Sequence, residues 1–200
     1  MKRSWICTAL AAVMLVVAPL AGADLLEFHV NLSGANEFPA NASPATGFAT
    51  FELDTVTNEL TGHIEFSGLL GPTTAAHIHC CLAAPYQTGV NVGVATLLPA
   101  FPGFPLGVTS GVNDFVLDLD LATSYNPTFI TNQGGLANAE AAFIFGLENG
   151  RTYLNIHTAS PNGFPGGEIR GFVVPEPMTT ALVVLGLAAA AAVSRRRRPA

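Results

Sequence analysis

The residues with the clearest chemical potential are histidines at alternate positions of short apolar runs. His77 and His79 stand two apart in the sequence, and Cys81 follows two residues later. Residues two apart on a β-strand share a face, so these three side chains are predicted to point the same way. Imidazole and thiolate groups are donors that copper and zinc accept in proteins. The spacing therefore predicts a candidate metal site.

A further candidate ligand lies on a second predicted strand, where Tyr153, Asn155 and His157 again share a face. Pairing of this strand with the one that carries His77 and His79 would complete a three-histidine site for copper or zinc. The same residue types also fit a metal-free network of hydrogen bonds between neighbouring strands. The sequence leaves both interpretations open.

A buried ion pair is the expected role of Arg170. Residues 24–174 contain two basic side chains, Arg151 and Arg170. A buried guanidinium needs a polar partner, and a carboxylate can bind it with two parallel hydrogen bonds. The predicted partners are Glu168, two positions earlier on the same face, and Glu37 in a loop. No nucleophile or second catalytic carboxylate is specified by the sequence, so no catalytic residue is predicted.

The charge of the central segment excludes one class of partner. Residues 24–174 carry thirteen acidic and two basic side chains, a net charge of −11 with histidine neutral, whereas the whole chain has −6. Phosphate backbones bind clustered lysine and arginine side chains, so nucleic acid is not an expected partner. Cations and basic partners suit this acidic segment better.

The residues that could do chemistry are predicted to lie on strands of an all-β domain. Apolar and polar residues alternate with a period of two, and glycine, proline and asparagine mark the turns. One segment, 138–147, has a helical pattern with Asn138 as its predicted N-cap. The predicted strands span 26–32, 48–53, 60–67, 74–81, 92–97, 115–121, 152–159 and 168–174, with 48–67 as a hairpin. The pattern predicts a Greek-key-like β-sandwich of about seven or eight antiparallel strands with one short helix.

The first segment, 1–23, has the three parts of a secretory signal peptide. Its start is basic, an uncharged apolar run follows, and small residues stand before the predicted cleavage point. Ala21 and Ala23 are the small residues that signal peptidase requires, and cleavage would leave Asp24 as the new N-terminus. An uncleaved N-terminal anchor is the alternative.

The last segment, 174–200, also has three parts in a fixed order. A Pro-Glu-Pro motif precedes an apolar run, predicted to cross the membrane as a helix over about 178–194, and a basic cluster that stays on the cytoplasmic side. The motif and cluster residues are Val174, Pro175, Glu176, Pro177, Arg195, Arg196, Arg197 and Arg198. This tail resembles the PEP-CTERM sorting signal of Gram-negative bacteria, which implies recognition and cleavage by an exosortase. A plain tail anchor is the alternative.

Four stretches spread over the central segment form a recognisable set. They are LSGANE at 32–37 together with SPATG at 43–47, AAHIH at 75–79, YLNIHT at 153–158 and PGGEIRG at 165–171. Together they resemble the CHRD domain, named for its occurrence in chordin, and the resemblance covers residues 24–173. It implies a Greek-key-like β-sandwich in an extracellular or periplasmic setting and implies no reaction. One departure is Cys80-Cys81, where a Gly-Pro pair commonly follows the histidines.

These features predict an exported cell-surface or extracellular-matrix protein with a non-catalytic structural or binding role. The chain is expected to be anchored in the inner membrane with its domain outside the cytoplasm, and then to reach the surface or matrix after tail processing. The expected partners are signal peptidase, an exosortase-type enzyme, the membrane and, through the sorting-signal resemblance, extracellular polysaccharide. The alternative is a copper or zinc protein or redox enzyme, by analogy with the His-x-His strand of copper–zinc superoxide dismutase.

Overall fold

The computed structural model describes residues 25–176, which form eight β-strands and two α-helices. The predicted signal peptide, with Ala21 and Ala23, and the tail from Pro177 through the arginine cluster lie outside the described residues. The strands are β1 (Leu25–Ser33), β2 (Thr46–Asp54), β3 (Glu59–Ser67), β4 (Thr73–Cys80), β5 (Gly111–Asp118), β6 (Thr152–Thr158), β7 (Ile169–Phe172) and β8 (Val174–Pro175); the helices are α1 (Pro127–Gln133) and α2 (Leu136–Glu148).

The strands form one sheet in the order β4-β6-β7-β1-β2-β3-β5, and β8 pairs beside β1. Every strand pair is antiparallel. The prediction of a mostly β, antiparallel domain is confirmed, and the sheet is consistent with a β-sandwich. Strands β4 and β6 are distant in the chain but adjacent at one end of the sheet, and this pairing positions the candidate site.

The predicted hairpin at 48–67 is confirmed as β2 and β3, which pair along their whole length. Its turn is closed by Asp54, whose Oδ1 accepts hydrogen bonds from the backbone N–H groups of Val56 at 2.8 Å and Thr57 at 3.1 Å. An aspartate at this position commonly stabilises a turn through its own side chain. The turn between β2 and β3 is therefore stabilised by local hydrogen bonds from a residue type that the sequence shows.

The prediction of one short helix is wrong, because two helices occur between β5 and β6. Asn126 caps α1 by accepting the backbone N–H of Thr128 at 3.0 Å, and a proline occupies the first helical position. Gly134, with φ of 82°, ends α1 in the left-handed conformation that glycine adopts without strain. The second helix begins at Leu136, so Asn138 lies inside α2 and is not its N-cap.

The predicted strand at 92–97 is also wrong as a continuous element. Val94 makes an isolated bridge to His79, and the chain otherwise runs irregularly beside β4. The hydroxyl of Thr96 accepts the backbone N–H of Ile78 at 2.9 Å. A side chain thus takes the place of a backbone acceptor, which interrupts a regular ladder.

Helix α2 packs against the two strands that carry the histidines. Its inner face contributes Phe143 and Leu147 to the core, both with zero exposure. Gly146 permits the close approach, since a Cβ there would lie 2.7 Å from Sγ of Cys80 and 3.0 Å from Cγ2 of Thr152. The helix therefore fixes the end of β4 against the start of β6.

The first residues of the predicted sorting motif are part of the sheet. Val174 and Pro175 pair with β1, and the backbone N–H of Glu176 donates to the carbonyl of Glu27 at 2.8 Å. The Glu176 carboxylate also lies 2.5 Å from Nδ1 of His29. No helix within residues 25–176 has the length and hydrophobicity needed to span a membrane.

Candidate metal centre

The β4–β6 pairing brings three histidines to one face of the sheet. In its register His79 is opposite Tyr153, His77 is opposite Asn155, and Ala75 is opposite His157. Because alternate residues share a face, His157 lies diagonally next to His77. The predicted sharing of a face is observed for His77 with His79 and for Tyr153 with His157, and the pairing between the strands supplies the third imidazole.

The three imidazoles are in direct contact. Ring centroids of His77 and His157 are 4.7 Å apart, those of His77 and His79 are 4.9 Å apart, and those of His79 and His157 are 6.1 Å apart. One nitrogen from each ring lies within 4.8 Å of the other two. This compact triangle of donor atoms has the composition of a three-histidine copper or zinc site.

Backbone carbonyls determine which ring nitrogen carries the hydrogen in His79 and His157. Nδ1 of His79 lies 2.7 Å from the carbonyl oxygen of Val92, and Nδ1 of His157 lies 2.9 Å from that of Pro165. A carbonyl can only accept, so Nδ1 carries the hydrogen in both rings and Nε2 of the neutral form has a free lone pair. Metal-binding histidines are oriented by this kind of hydrogen bond.

One nitrogen on each of the three rings is buried and has no protein partner. These atoms are Nδ1 of His77 and Nε2 of His79 and His157. The side chains of His77 and His79 are only 5% and 8% exposed. Buried polar atoms are normally paired, so three unpartnered nitrogens on neighbouring rings form an unusual cluster.

Burial lowers the pKa of all three imidazoles. Desolvation is the largest cause, and it brings the pKa of His77 from 6.5 to about 3 with a further contribution from the neighbouring histidines. The pKa of His79 falls from 6.5 to about 4, and that of His157 is also lowered. A neutral imidazole is the form that binds metal, so the cluster offers its lone pairs at neutral pH.

Cys81 is not brought to this cluster. It forms a disulfide with Cys80, just beyond the end of β4. The two sulfurs lie 3.7 and 3.5 Å from the carbonyl oxygen of Ala142 in α2. Sγ of Cys81 was predicted to lie on the same face as His77 and His79, but in the structure it packs against α2.

The CHRD domain model matches residues 28–173. The chain belongs to the CHRD family. No curated protein and no solved structure among those compared matches it. The CHRD family fits a non-catalytic binding or structural domain, and the three histidines lie within two of the stretches that carry the family resemblance.

Arg170 of the CHRD domain makes no direct ion pair with Glu168 or Glu37, in contrast to the prediction. Its guanidinium carbon lies 3.4 Å from the ring centroid of Tyr153, and Nη1 donates to the carbonyl of Val90 at 3.1 Å. An aromatic face and a carbonyl dipole thus provide the polar contacts that a carboxylate was expected to provide. Tyr153 in turn stacks on the His79 ring at 4.5 Å, so Arg170 belongs to the wall of the histidine site.

Glu37 is buried near this wall and is charged only in part at neutral pH. Desolvation raises its pKa from 4.5 to about 7, and the nearby charge of Arg170 opposes that rise. Its Oε2 accepts a long hydrogen bond of 3.5 Å from Nδ2 of Asn155. Glu37 therefore interacts with Arg170 electrostatically, without the direct ion pair that the sequence analysis expected.

Glu168 has a different set of partners. Its carboxylate accepts hydrogen bonds from the hydroxyls of Ser43 at 2.6 Å and Thr158 at 2.5 Å. It also accepts the backbone N–H groups of Leu70 at 2.7 Å and Gly71 at 3.4 Å. These four donors use both oxygens, which explains why Glu168 does not turn towards Arg170.

The loop residues that orient the site were not found from the sequence. The carbonyls of Val92 and Pro165 fix two imidazoles, and Val90 holds Arg170. A backbone carbonyl leaves no signal in residue type, so sequence reasoning had no means of identifying these contacts. Tyr153 was placed on the correct face, but its stacking against both His79 and Arg170 depends on strand pairing.

Proposed function

We propose that this chain is an exported, non-catalytic binding protein whose CHRD domain holds a copper or zinc ion with His77, His79 and His157. Two observations carry this proposal: one nitrogen of each of the three imidazoles lies within 4.8 Å of the other two, and each ring has a buried nitrogen without a protein partner. Neutral imidazole lone pairs that converge in this way are suited to a transition-metal ion.

The alternative of a metal-free hydrogen-bond network accounts less well for these atoms. In such a network the facing nitrogens would be paired with one another or with neighbouring side chains. Leaving a buried polar atom unpaired costs roughly 1–3 kcal/mol. A metal ion would satisfy three such nitrogens at once, while the Nδ1 hydrogen bonds of His79 and His157 would hold two rings in place.

The test is the metal content of the exported protein after purification without added metal or chelator. We expect about one equivalent of copper or zinc in the wild type and a loss of at least about tenfold in His77→Ala and His79→Ala, because each removes one of three ligands. His63→Ala is the matched control, since His63 lies on the surface against Asp114 and Glu65. Equal and negligible copper and zinc in wild type and both variants would end the metal proposal.

Export and sorting are proposed from the two ends of the chain. The signal-peptide pattern over 1–23, with Ala21 and Ala23, supports passage across the inner membrane. The Pro-Glu-Pro motif, apolar run and arginine cluster support temporary anchorage and release by an exosortase, with extracellular polysaccharide as a partner in the matrix. The proposed location is the inner membrane with the domain outside, followed by the cell surface.

Cell fractionation with and without the exosortase tests the sorting proposal. We expect the protein to leave the inner membrane only in the strain that has the enzyme, with a corresponding loss of mass at the tail. Glu176→Gln changes the Pro-Glu-Pro motif and also removes the charge that faces His29. This variant should stay in the inner membrane even in the strain that has the exosortase. Inner-membrane retention of the unaltered protein in both strains would show that the tail is a plain anchor.

A further inference from the structure

We infer that the three-histidine site selects the monovalent cuprous ion over divalent zinc, an inference that rests on the metal-binding function proposed above. The reason is that the site provides three donor atoms in a buried setting but no negative charge to balance a divalent ion. The choice of metal ion at this site depends on the charge and the burial around the donor atoms.

The ligand set itself is uncharged. The cluster of donor atoms consists of His77, His79 and His157 and, among residues 25–176, includes no carboxylate or thiolate. Cys81, which would have contributed a thiolate, is held in its disulfide with Cys80. None of the three ligands would therefore neutralise the charge of a bound ion.

The surroundings of the ligands do not supply a net negative charge. Arg170 is 1% exposed, and its guanidinium lies 3.4 Å from the Tyr153 ring that stacks on His79 at 4.5 Å. A buried acid that contacts this face is Glu37, which reaches it through Asn155. Glu168 is also buried, but it is bonded to Thr158, whose side chain alternates with that of His157 and so lies on the other face of β6. Even a fully ionised Glu37 would only cancel the charge of Arg170.

Burial makes the charge of the ion decisive. The cost of moving an ion from water into a low-dielectric site rises with the square of its charge, so a divalent ion costs roughly four times as much as a monovalent ion of similar size. His77 and His79 are almost completely buried, which limits solvent compensation. Zinc usually needs a fourth ligand, often a thiolate, carboxylate or hydroxide, whereas copper in its cuprous form accepts three neutral donors.

The experiment compares Cu(I) and Zn(II) binding to the full-length metal-free protein. Cu(I) is titrated without oxygen against bicinchoninate, and Zn(II) is titrated against a fluorescent zinc chelator. We expect Cu(I) to bind at least about 100-fold more tightly than Zn(II), a difference of about 2.8 kcal/mol. His79→Ala should lose both metals, and the surface variant His63→Ala should keep the preference.

Two charge variants test the cause of the preference. Arg170→Met removes the buried cation and should raise zinc affinity relative to Cu(I) by about tenfold, because the lost repulsion acts twice as strongly on a divalent ion. Arg170→Lys keeps the charge and should leave the ratio near that of the wild type. Glu37→Gln removes the opposing acid and should move the ratio in the other direction; using the ratio within each variant cancels a uniform loss from imperfect folding.

The outcomes separate this inference from the proposed function. Zinc binding through the same histidines with affinity equal to or above that of Cu(I) overturns the selectivity and leaves the metal-binding function standing. An unchanged ratio in Arg170→Met and Glu37→Gln also overturns it, because the charge argument predicts opposite shifts. Failure of both metals to bind through the histidines removes the proposed function and this inference together.

Discussion

Acidification of the metal-free protein from pH 7 to pH 4 is expected to lower its free energy of unfolding by about 3 kcal/mol. His77 and His79 have folded-state pKa values of about 3 and about 4, below the ordinary value of 6.5. Between about pH 6.5 and pH 4 the unfolded chain takes up protons at both residues that the folded chain does not. Stability therefore falls as the pH falls through this window, by roughly 3 kcal/mol for each histidine at pH 4.

Glu37 acts with the opposite sign and reduces the net effect. Its pKa is raised from 4.5 to about 7, so the folded state binds this proton more tightly than the unfolded state. Its contribution to stability is complete below pH 4.5 and is lost as the pH rises through 7. On acidification Glu37 therefore raises the free energy of unfolding by roughly 3 kcal/mol. This offsets the loss from one of the two histidines and leaves a net loss about equal to that from the other.

Urea denaturation between pH 4 and pH 8, with a chelator present, measures these contributions. The double variant His77→Gln and His79→Gln should lose most of the acid-side fall, with His157 keeping a part of it, whereas Glu37→Gln should make the fall steeper and be more stable than wild type at pH 8. His63→Gln is the surface control and should retain the wild-type fall. A wild-type stability that is equal at pH 4 and pH 7, with no change in slope in Glu37→Gln, would contradict the burial of these groups.

The regular strands could be predicted because one face of each is buried. In β1, Phe28, Val30 and Leu32 are buried at alternate positions, as the period of two requires. The hairpin of β2 and β3 was predicted because its turn residues are local, and Asp54 closes that turn with its own side chain. These features depend on residues close together in the chain.

Helix α1 and the irregular segment at 92–97 were missed for two different reasons. Asn126 and Pro127 form a helix-start signal, but α1 has only seven residues before Gly134 ends it, too few to show a clear helical period. The apolar pattern at 92–97 resembled a strand, yet Thr96 replaces a backbone acceptor with its hydroxyl. Helix α1 therefore depends on a short capping signal, whereas the irregular segment depends on a hydrogen bond to a residue eighteen positions away, and the hydrophobic pattern shows neither.

The sequence named the three candidate histidines, but their arrangement could be derived from it only in part. Alternation on a strand predicted that His77 and His79 share a face, but the adjacency of His157 depends on pairing between strands that are more than seventy residues apart. Arg170 makes no direct ion pair with the expected carboxylates, although Glu37 is close enough to interact with it electrostatically. Tyr153 and loop carbonyls provide its contacts, and the sequence pattern does not specify which loops fold over the sheet.

Glu168→Ala is expected to destabilise the domain by about 3–5 kcal/mol, because several buried donors would lose an acceptor at a cost of roughly 1–3 kcal/mol each. Glu168 has zero exposure, and its carboxylate connects segments that are distant in the chain. The substitution would leave the backbone N–H groups of Leu70 and Gly71 and the hydroxyls of Ser43 and Thr158 without their acceptor. Several buried donors would lose their partner at once, in addition to the loss of packed volume.

Chemical denaturation of Glu168→Ala, Glu168→Gln and the exposed-strand control Glu59→Ala measures this effect. Glu168→Gln keeps one acceptor oxygen and nearly the same volume, so its loss should be about half as large, while Glu59→Ala should stay within about 0.5 kcal/mol of wild type. Thr158 is next to His157, so Glu168→Ala should also weaken metal binding at the site. All three imidazoles remain in this variant and should still bind the metal. If Glu168→Ala costs no more than Glu59→Ala, the carboxylate does not hold these loops together, and the position of His157 must depend on the β4–β6 ladder alone.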